Sequence, residues 1–528
     1  MFMRIGIAQL NSTVGDFKGN LNKILNTLRI ARERKVDLVI FPELFLTGYF
    51  PKDLLKKPDF LNYSQKSLNN IFKNSKEISL IIGLPLKIGK NLLNAAYFIR
   101  DGKFFGFSAK TNLSSKEVNY FIPSQKRIVF NLDGKKIGII IGEDLEGKYE
   151  VIRELKRKGA ELIINLSARP FYVNKHNLLK DLLKKKAKEN NIKIIYCNLV
   201  GGNDGEIFDG ESMVVSENGE ILMRAKRFEE DFIIYDESII YAPLSEKEED
   251  EREEIYQAII LGIKDYVKKN NFQKVILGIS GGIDSSVVAV LATLALGKEN
   301  VIGLIMPGPH SSKESIEDAY TLAKNLGIKV LEISINEIYQ EYLNTLKPIF
   351  KDLPFDKTEE NIQARIRGNI LMALANKFNY LVLATGNKSE MVVGYTTLYG
   401  DMSGGLAPIA DLTKTEVYKL AEYLNKKFNL IPERILTKKP SAELRPNQED
   451  EKDLIPYSQL DEIIQYYLME NLPLRNIVRK GFSPKDVNKI VSLIYQNEFK
   501  RKQAPLKLIL KKESFDFPIV NKFYPTPK

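Results

Sequence analysis

Val-Ile-Leu-Gly-Ile-Ser-Gly-Gly-Ile-Asp-Ser-Ser-Val-Val, residues 275–288, is the stretch on which the reading of this chain turns. The apolar, β-branched run 275–279 predicts a buried strand, and 284–296 carries a helical pattern. Between them stand Ser280, Gly281 and Gly282. A strand, a glycine turn and a helix in that order bring unpaired backbone N–H groups and the positive end of a helix dipole to one point. Pyrophosphate is the natural occupant of such a point. The glycines let the main chain approach an anion closely, Ser280 and Ser285 offer hydroxyls, and Asp284 is placed to hold Mg²⁺. No lysine stands at the turn of the kind that reaches terminal phosphates in a Walker-type loop. The expected ligand is therefore an ATP cleaved between its α- and β-phosphates. The plain alternative, an ordinary Gly-Gly turn after a buried strand, leaves the surrounding donors unexplained.

Outward from this turn, strand-like runs at 301–306, 329–333 and 381–385 alternate with helical segments. That alternation predicts a doubly wound parallel sheet with ligands at the carboxyl ends of its strands. Upstream, β-rich runs recur at 3–10, 37–41, 79–84, 136–141, 161–166, 193–200 and 212–215, several of them separated by helical patterns. This half also reads as α/β with a sizeable sheet core. The charge-dense stretch 245–254, just after Pro243, reads as a linker or the solvated start of a helix. At 528 residues the chain is too long for one core. We therefore divide it into domains 1–244 and 245–528.

Composition excludes several classes. One cysteine, Cys197, rules out an internal disulfide and any multi-cysteine metal site. Two histidines, His176 and His310, argue equally against a histidine-rich metal centre. No run approaches the length of a membrane span and the start lacks a signal-peptide core, so a soluble cytoplasmic protein without membrane partners is expected. The net charge of +11 is spread over helix faces mixed with acids, as in 180–189, a pattern of solvated surface and not of a nucleic-acid groove.

The second half carries more polar chemistry. Residues 358–368, Thr-Glu-Glu-Asn-Ile-Gln-Ala-Arg-Ile-Arg-Gly, open a helix on which Asn361 and Arg365, four apart, share a face; Arg367 lies off it. An Asn–Arg face suits an amide, carboxylate or phosphate, and equally an ion-paired surface. Residues 381–390, Leu-Val-Leu-Ala-Thr-Gly-Asn-Lys-Ser-Glu, repeat the strand-then-polar-turn pattern and make Glu390 a second candidate Mg²⁺ carboxylate. The glycine-rich 396–405 has an acid, Asp401, near its centre and reads as a binding loop or lid.

Residues 256–503 resemble the synthetase domain of NAD⁺ synthetases. The likeness runs through 280–285, 358–368, 386–395, 397–405 and 440–448. The glycine turn alone would fit any ATP-pyrophosphatase, including guanylate, asparagine and tRNA-modifying enzymes; the later motifs select NAD⁺ synthetase. The resemblance implies an adenine nucleotide α-hydrolase-like fold. It assigns Gly278, Ile279, Ser280, Gly281, Gly282, Ile283, Asp284, Ser285 and Thr385 to ATP, and Asp284 and Glu390 to magnesium. Asn361, Arg365 and Asp401 go to deamido-NAD⁺, whose side Glu390 also faces. Lys414, Ser441 and Lys500 are phosphate or transition-state contacts. A homo-oligomer is implied too. The chemistry stands on its own terms: a carboxylate is a poor electrophile, ATP converts it to an acyl-adenylate with release of pyrophosphate, and ammonia then displaces AMP. Positioning and charge neutralisation supply the catalysis, with no protein nucleophile.

Residues 4–11, 41–49, 165–171 and 208–212 resemble the nitrilase-like glutaminase domain fused to many NAD⁺ synthetases. The resemblance implies an α-β-β-α sandwich and a Glu–Lys–Cys triad that frees ammonia from glutamine. Glu43 matches its base and Lys110 its lysine. The nucleophile does not match: where the family has Cys-Glu-Asp, this chain has Gly142-Glu143-Asp144. Glycine cannot form a thioester. Glu146 also replaces an aromatic, and the segment between Lys110 and Glu117 is short of a Leu-Pro-Asn-Tyr. Cys197, mid-strand among apolar residues, reads as core and not as a substitute nucleophile. The expectation is an NAD⁺ synthetase that uses free ammonia or ammonia from a separate supplying protein. Two alternatives stay open: glutamine used through an atypical site, and a first half kept as a docking scaffold for another glutaminase.

Overall fold

The structure, a computed structural model, describes residues 2–245 and 250–512. The chain forms two compact units, Met1–Glu249 and Asp250–Lys528. Part of the stretch expected as a linker, 246–249, and the end of the second expected domain, 513–528, lie outside the described residues. Beyond that stretch, Asp250 caps the helix Glu251–Lys269 by accepting from the Arg252 N–H.

Among the described residues the first unit holds two six-stranded sheets. One runs Asp231–Asp236, Arg4–Gln9, Leu38–Ile40, Ser79–Ile88, Asn91–Arg100, Lys103–Ala109; the other runs Ile221–Arg224, Met213–Val215, Lys193–Asn198, Leu162–Ser167, Lys135–Ile141, Val129–Leu132. Each has a parallel centre and antiparallel edges. Alternate side chains explain the layering. Ile5, Ile7, Leu38, Ile40, Ile139 and Ile164 meet between the sheets, while Val39, Leu80 and Ile82 face outward beneath the helices Phe17–Glu33 and Pro58–Asn74. Ile140, Ile163 and Ile194 do the same beneath Val151–Arg157 and Lys175–Asn190. The result is the α-β-β-α sandwich. Strands buried on both faces read in sequence as unbroken apolar runs, which is why the seven expected ones are all present. One differs: the run 193–200 breaks at Leu199, and Val200–Asn203 turns away to pair with Glu206–Asp209 in a separate hairpin.

The second unit is built on a four-stranded parallel sheet in the order Lys329–Glu332, Val301–Ile305, Val275–Gly278, Leu381–Val382. The strand order reverses at Val275–Gly278, which lies between the second strand and the fourth. A doubly wound sheet opens a crevice at such a switch point, outside the carboxyl ends of its strands. The expected strand 381–385 is shorter than its apolar run. After Val382 only Leu383 makes an isolated bridge, to Leu406, and Ala384 to Gly386 leave the sheet toward the crevice. A second pair of strands, Leu406–Ala407 and Leu506–Lys507, brings the end of the described chain back beside this region. No described helix is long and apolar enough to cross a membrane.

Candidate active site

At the end of Val275–Gly278 the chain makes its glycine turn and enters the helix Ile283–Leu296. Gly281 has φ +76°, and a Cβ there would lie 2.2 Å from the Ser315 carbonyl oxygen. Only glycine fits. The two serines first stiffen the turn: Ser280 Oγ and Ser285 Oγ are 3.1 Å apart, and Ser280 Oγ accepts from Gly282 N at 3.2 Å.

The turn is one wall of a cavity of about 430 Å³. Gly278, Ile279, Ser280, Gly282, Ile283, Asp284, Ser285 and Thr385 line it, with Asn361, Glu390, Asp401, Lys414, Ser441 and Lys500. Two sequence candidates are absent from the lining. Gly281 lies behind, against Ser315. Arg365 is exposed, its Nε donating to the Leu398 carbonyl at 3.2 Å. Arg367, set aside by the helical spacing, is in the wall instead and donates to the Met306 carbonyl at 3.0 Å; burial lowers its pKa to about 10.

The electrostatic centre is Lys414, in the first turn of the helix Lys414–Phe428. Its Nζ lies 2.5 Å from Asp284 Oδ2 and 3.2 Å from Glu390 Oε1. Asn387 Nδ2 holds the other Asp284 oxygen at 2.9 Å. Burial pushes Glu390 up to about 8 against the pull of Lys414, with Asp284 adding to the rise. Burial also raises Asp450, a lining acid that the sequence reading missed although it stands two residues past the 440–448 motif. Burial disfavours a charged Lys414, yet Asp284 and Glu390 hold its pKa well above the usual lysine range. The paired carboxylate oxygens of Asp284 and Glu390 are hard donors of the kind Mg²⁺ takes. Among the described residues no three His, Cys, Asp or Glu side chains are grouped to hold a metal ion by themselves, so water or a bound phosphate would complete the ligands of any ion there.

Across the cavity, Asn361 Oδ1 accepts from Thr397 Oγ1 at 2.8 Å and Asp401 accepts from Thr397 N at 2.6 Å. Burial raises Asp401 to about 6. Lys500 straps the same loop, donating to the Gly394 and Thr396 carbonyls at 2.7 Å each. Ser441 turns its hydroxyl to the Gln448 carbonyl at 2.6 Å.

In the first unit, Lys110 Nζ sits 2.7 Å from Glu43, 2.8 Å from Glu117 and 2.5 Å from Glu143. Asn94 Nδ2 joins Glu43 and Glu117 at 2.6 and 2.8 Å. Burial raises Glu43 to about 8 although Lys110 opposes it. Gly142, just past the strand Lys135–Ile141, has φ +49°; a Cβ there would be 2.7 Å from Lys110 Nζ and 2.8 Å from Glu43 Oε2. Asp144 fixes the turn by accepting from Thr111 N and Asn112 N, and Glu146 pairs with Arg169. Cys197 lies in the inter-sheet core, its Sγ turned to the Ile40 and Ala8 carbonyls, and burial drives its thiol far above the usual range.

Residues 4–244 match the carbon-nitrogen hydrolase family and residues 255–504 the NAD synthase family. The glutamine-dependent NAD(+) synthetase of Thermotoga maritima is 43% identical over 99% of both chains, and that of Aquifex aeolicus 42% identical over 99% of this chain and 100% of its own. The chain belongs to the fused NAD⁺ synthetase family. The solved glutamine-dependent NAD⁺ synthetase of Acinetobacter baumannii, in complex with ADP, agrees: it is 35% identical, has a TM-score of 0.80 and covers 100% of both chains. The chain is thus an NAD⁺ synthetase, a ligase acting on small molecules with ATP as a substrate, in the two-part architecture expected from sequence.

Proposed function

We propose that this NAD⁺ synthetase amidates deamido-NAD⁺ through an acyl-adenylate, using ammonia that its own first unit does not release from glutamine. The observation that carries the second part is Gly142. A glutaminase of this family needs a nucleophile between the base and the lysine, and at the position lying against both Glu43 and Lys110 this chain has no side chain. Cys197 offers no rescue, since its thiol is buried among the inter-sheet apolar residues and held in its neutral form. The relatives are named for glutamine; this chain departs from that name at one decisive residue.

For the synthetase half, the N–H groups at the start of Ile283–Leu296 and the glycine turn receive the pyrophosphate of ATP. Asp284 and Glu390 are the residues to hold Mg²⁺, which when bound neutralises phosphate charge. Lys414 carries a positive charge at the same point and balances the two carboxylates while the phosphates come and go. Asn361, Asp401 and Lys500 orient the deamido-NAD⁺ end, and Arg367 adds a fixed cation to the wall. Arg365 lies off that wall, exposed and bonded to the Leu398 carbonyl.

The test is NAD⁺ formation from deamido-NAD⁺, ATP and Mg²⁺ with a single nitrogen source. Turnover with ammonium and none with glutamine is the expected result. Equal turnover with glutamine would sink the reading of Gly142 and direct attention to an atypical glutaminase route. A separate glutaminase that co-purifies with the full chain and is lost on deleting residues 1–245 would favour the docking-scaffold reading of the first unit.

A further inference from the structure

Asp461 is buried but does not line the cavity. It stands in the helix Tyr457–Ile464 beside the core residues Leu460, Ile463 and Ile464, and is 6% exposed. A carboxylate among apolar residues is costly unless donors meet its oxygens. Both oxygens are met. Oδ1 accepts the proton of Ser389 Oγ, and Oδ2 accepts from Thr415 N at 2.9 Å. Ser389, itself fully buried, accepts in turn from Lys414 N at 2.8 Å. The donors therefore come from the helix Lys388–Val393, which carries Glu390, and from the helix Lys414–Phe428, which begins with the cation of the site.

A helix start leaves its first N–H groups without partners inside the helix. In Lys414–Phe428 the capping residue Thr413 takes Glu416 N, and Val417 N returns to the Thr413 carbonyl at 2.9 Å. Lys414 N and Thr415 N are taken from outside, by Ser389 and Asp461. The direction of these bonds matters. A hydroxyl has one proton, and because Asp461 takes that of Ser389, only lone pairs are left to face Lys414 N. A ring then closes: Lys414 N sits on Ser389, and Lys414 Nζ reaches the next residue, Glu390, at 3.2 Å. Tyr457, four residues before Asp461 and so on the same helix face, sets its ring 5.1 Å from Lys414 Nζ. The helix Tyr457–Ile464 thus addresses both the backbone end and the charged end of Lys414.

We infer that Asp461 is a positioning residue for the ligation. By orienting the Ser389 hydroxyl it fixes the first turn of Lys414–Phe428 against Lys388–Val393, and so holds the Lys414 ammonium and the Glu390 carboxylate at the separation that bound ATP and its metal require. The inference rests on the placing of the phosphates and of Mg²⁺ proposed above. Asp461 acts only through Ser389 and the backbone of 414–415. Asp461→Asn is the informative change because it keeps the size of the side chain. The amide oxygen can serve one of the two donors, while the amide NH₂ confronts the other. A small displacement between the two helices is enough, since charges stabilise a reacting phosphate only when their distances are set in advance.

Two measurements on the full-length enzyme test this. Calorimetric titration with ATP and Mg²⁺, in the absence of deamido-NAD⁺, gives the dissociation constant and the fraction of competent sites; initial rates give kcat and the KM values. Asp461→Asn should weaken binding of Mg²⁺ and ATP severalfold and lower kcat by about tenfold, with the site fraction and the KM for ammonium unchanged. Ser389→Ala cuts the same link and should move the same constants, and it carries the test should Asp461→Asn fail to fold. In Glu390→Gln the carboxylate being positioned is already gone, so adding Asp461→Asn should change the dissociation constant little. A lower kcat with the dissociation constant unchanged would overturn the inference, because a purely structural role only reduces the number of competent sites. Full additivity with Glu390→Gln would overturn it too. Should Glu390→Gln alone bind Mg²⁺ and ATP as tightly as the wild-type enzyme, the placing of the metal itself fails, and the positioning role falls with it.

Discussion

At Gly142 the chain turns with φ +49°, and the space a Cβ would fill is already occupied by the ends of Lys110 and Glu43. Two consequences belong to this scale. Gly142→Ala puts a side chain into the left-handed region and displaces two buried, hydrogen-bonded groups; it should destabilise the first unit by about 1–2 kcal/mol, measured as a fall in its thermal midpoint. The second concerns Glu43, whose pKa is raised by burial from 4.5 to about 8. Between those values the folded carboxyl keeps a proton that the unfolded one has released, so this group's contribution to stability falls as pH rises through that window. Glu43→Gln has no such proton to lose. Unfolding midpoints taken at several pH values between the two should decline less steeply in Glu43→Gln than in the wild-type protein, and parallel profiles would show that Glu43 is ionised in the fold.

Elements decide how the synthetase residues meet, and here the sequence was legible in part. The strand, glycine turn and helix of 275–296 were readable because an apolar run, two glycines and a helical pattern leave little freedom, and every residue from Gly278 to Ser285 except Gly281 lines the cavity. The helix Lys357–Phe378 was legible as a helix but not in its orientation. Its lining positions are Lys357, Glu360, Asn361, Ala364, Arg367, Gly368 and Leu371, spaced as one helical face. Asn361 stands at the edge of that face, so its neighbour four residues on falls outside it and Arg367 falls inside. A pairwise spacing argument cannot locate the edge of a stripe; the full periodic set can. Gly281→Ala should cost roughly 1–3 kcal/mol or open the turn, because its Cβ meets a backbone oxygen, and the KM for ATP should rise while the KM for ammonium holds. Lys414→Met leaves Asp284 and Glu390 facing each other without their cation, and breaking such a partly shielded pair should cost about 3 kcal/mol. Mg²⁺ should then raise the melting midpoint of Lys414→Met more than that of the wild-type protein, because the freed carboxylates accept it; equal shifts would place the ion elsewhere.

For the molecule as a whole, the two cores were legible where strands are buried on both faces and obscure where they are not. The edge hairpins Asn91–Arg100/Lys103–Ala109 and Val129–Leu132/Lys135–Ile141 went partly unread, although Asp101-Gly102 and Asp133-Gly134 mark their turns, because edge strands such as Lys103–Ala109 mix exposed Phe104 and Phe105 with polar residues and carry no clean period. The triad remnant was legible only through resemblance, since Glu43, Lys110 and Gly142 lie far apart in sequence and meet only in the sandwich. On the reading proposed for Gly142, a demand falls on the whole enzyme. If no unit of the chain generates ammonia, the nucleophile comes from solution, where only the unprotonated form attacks a carbonyl. At a fixed total of ammonium, the free fraction grows with pH below the ammonium pKa. The KM expressed as total ammonium should therefore fall by about tenfold per pH unit in that range, while KM expressed as free ammonia stays level. Initial rates over a pH series at saturating ATP and deamido-NAD⁺ give both. A KM for total ammonium that ignores pH would mean that the protein binds the ammonium ion and deprotonates it within the cavity. In that case Asp401, with its pKa raised to about 6, is the lining acid whose replacement by asparagine should abolish the effect.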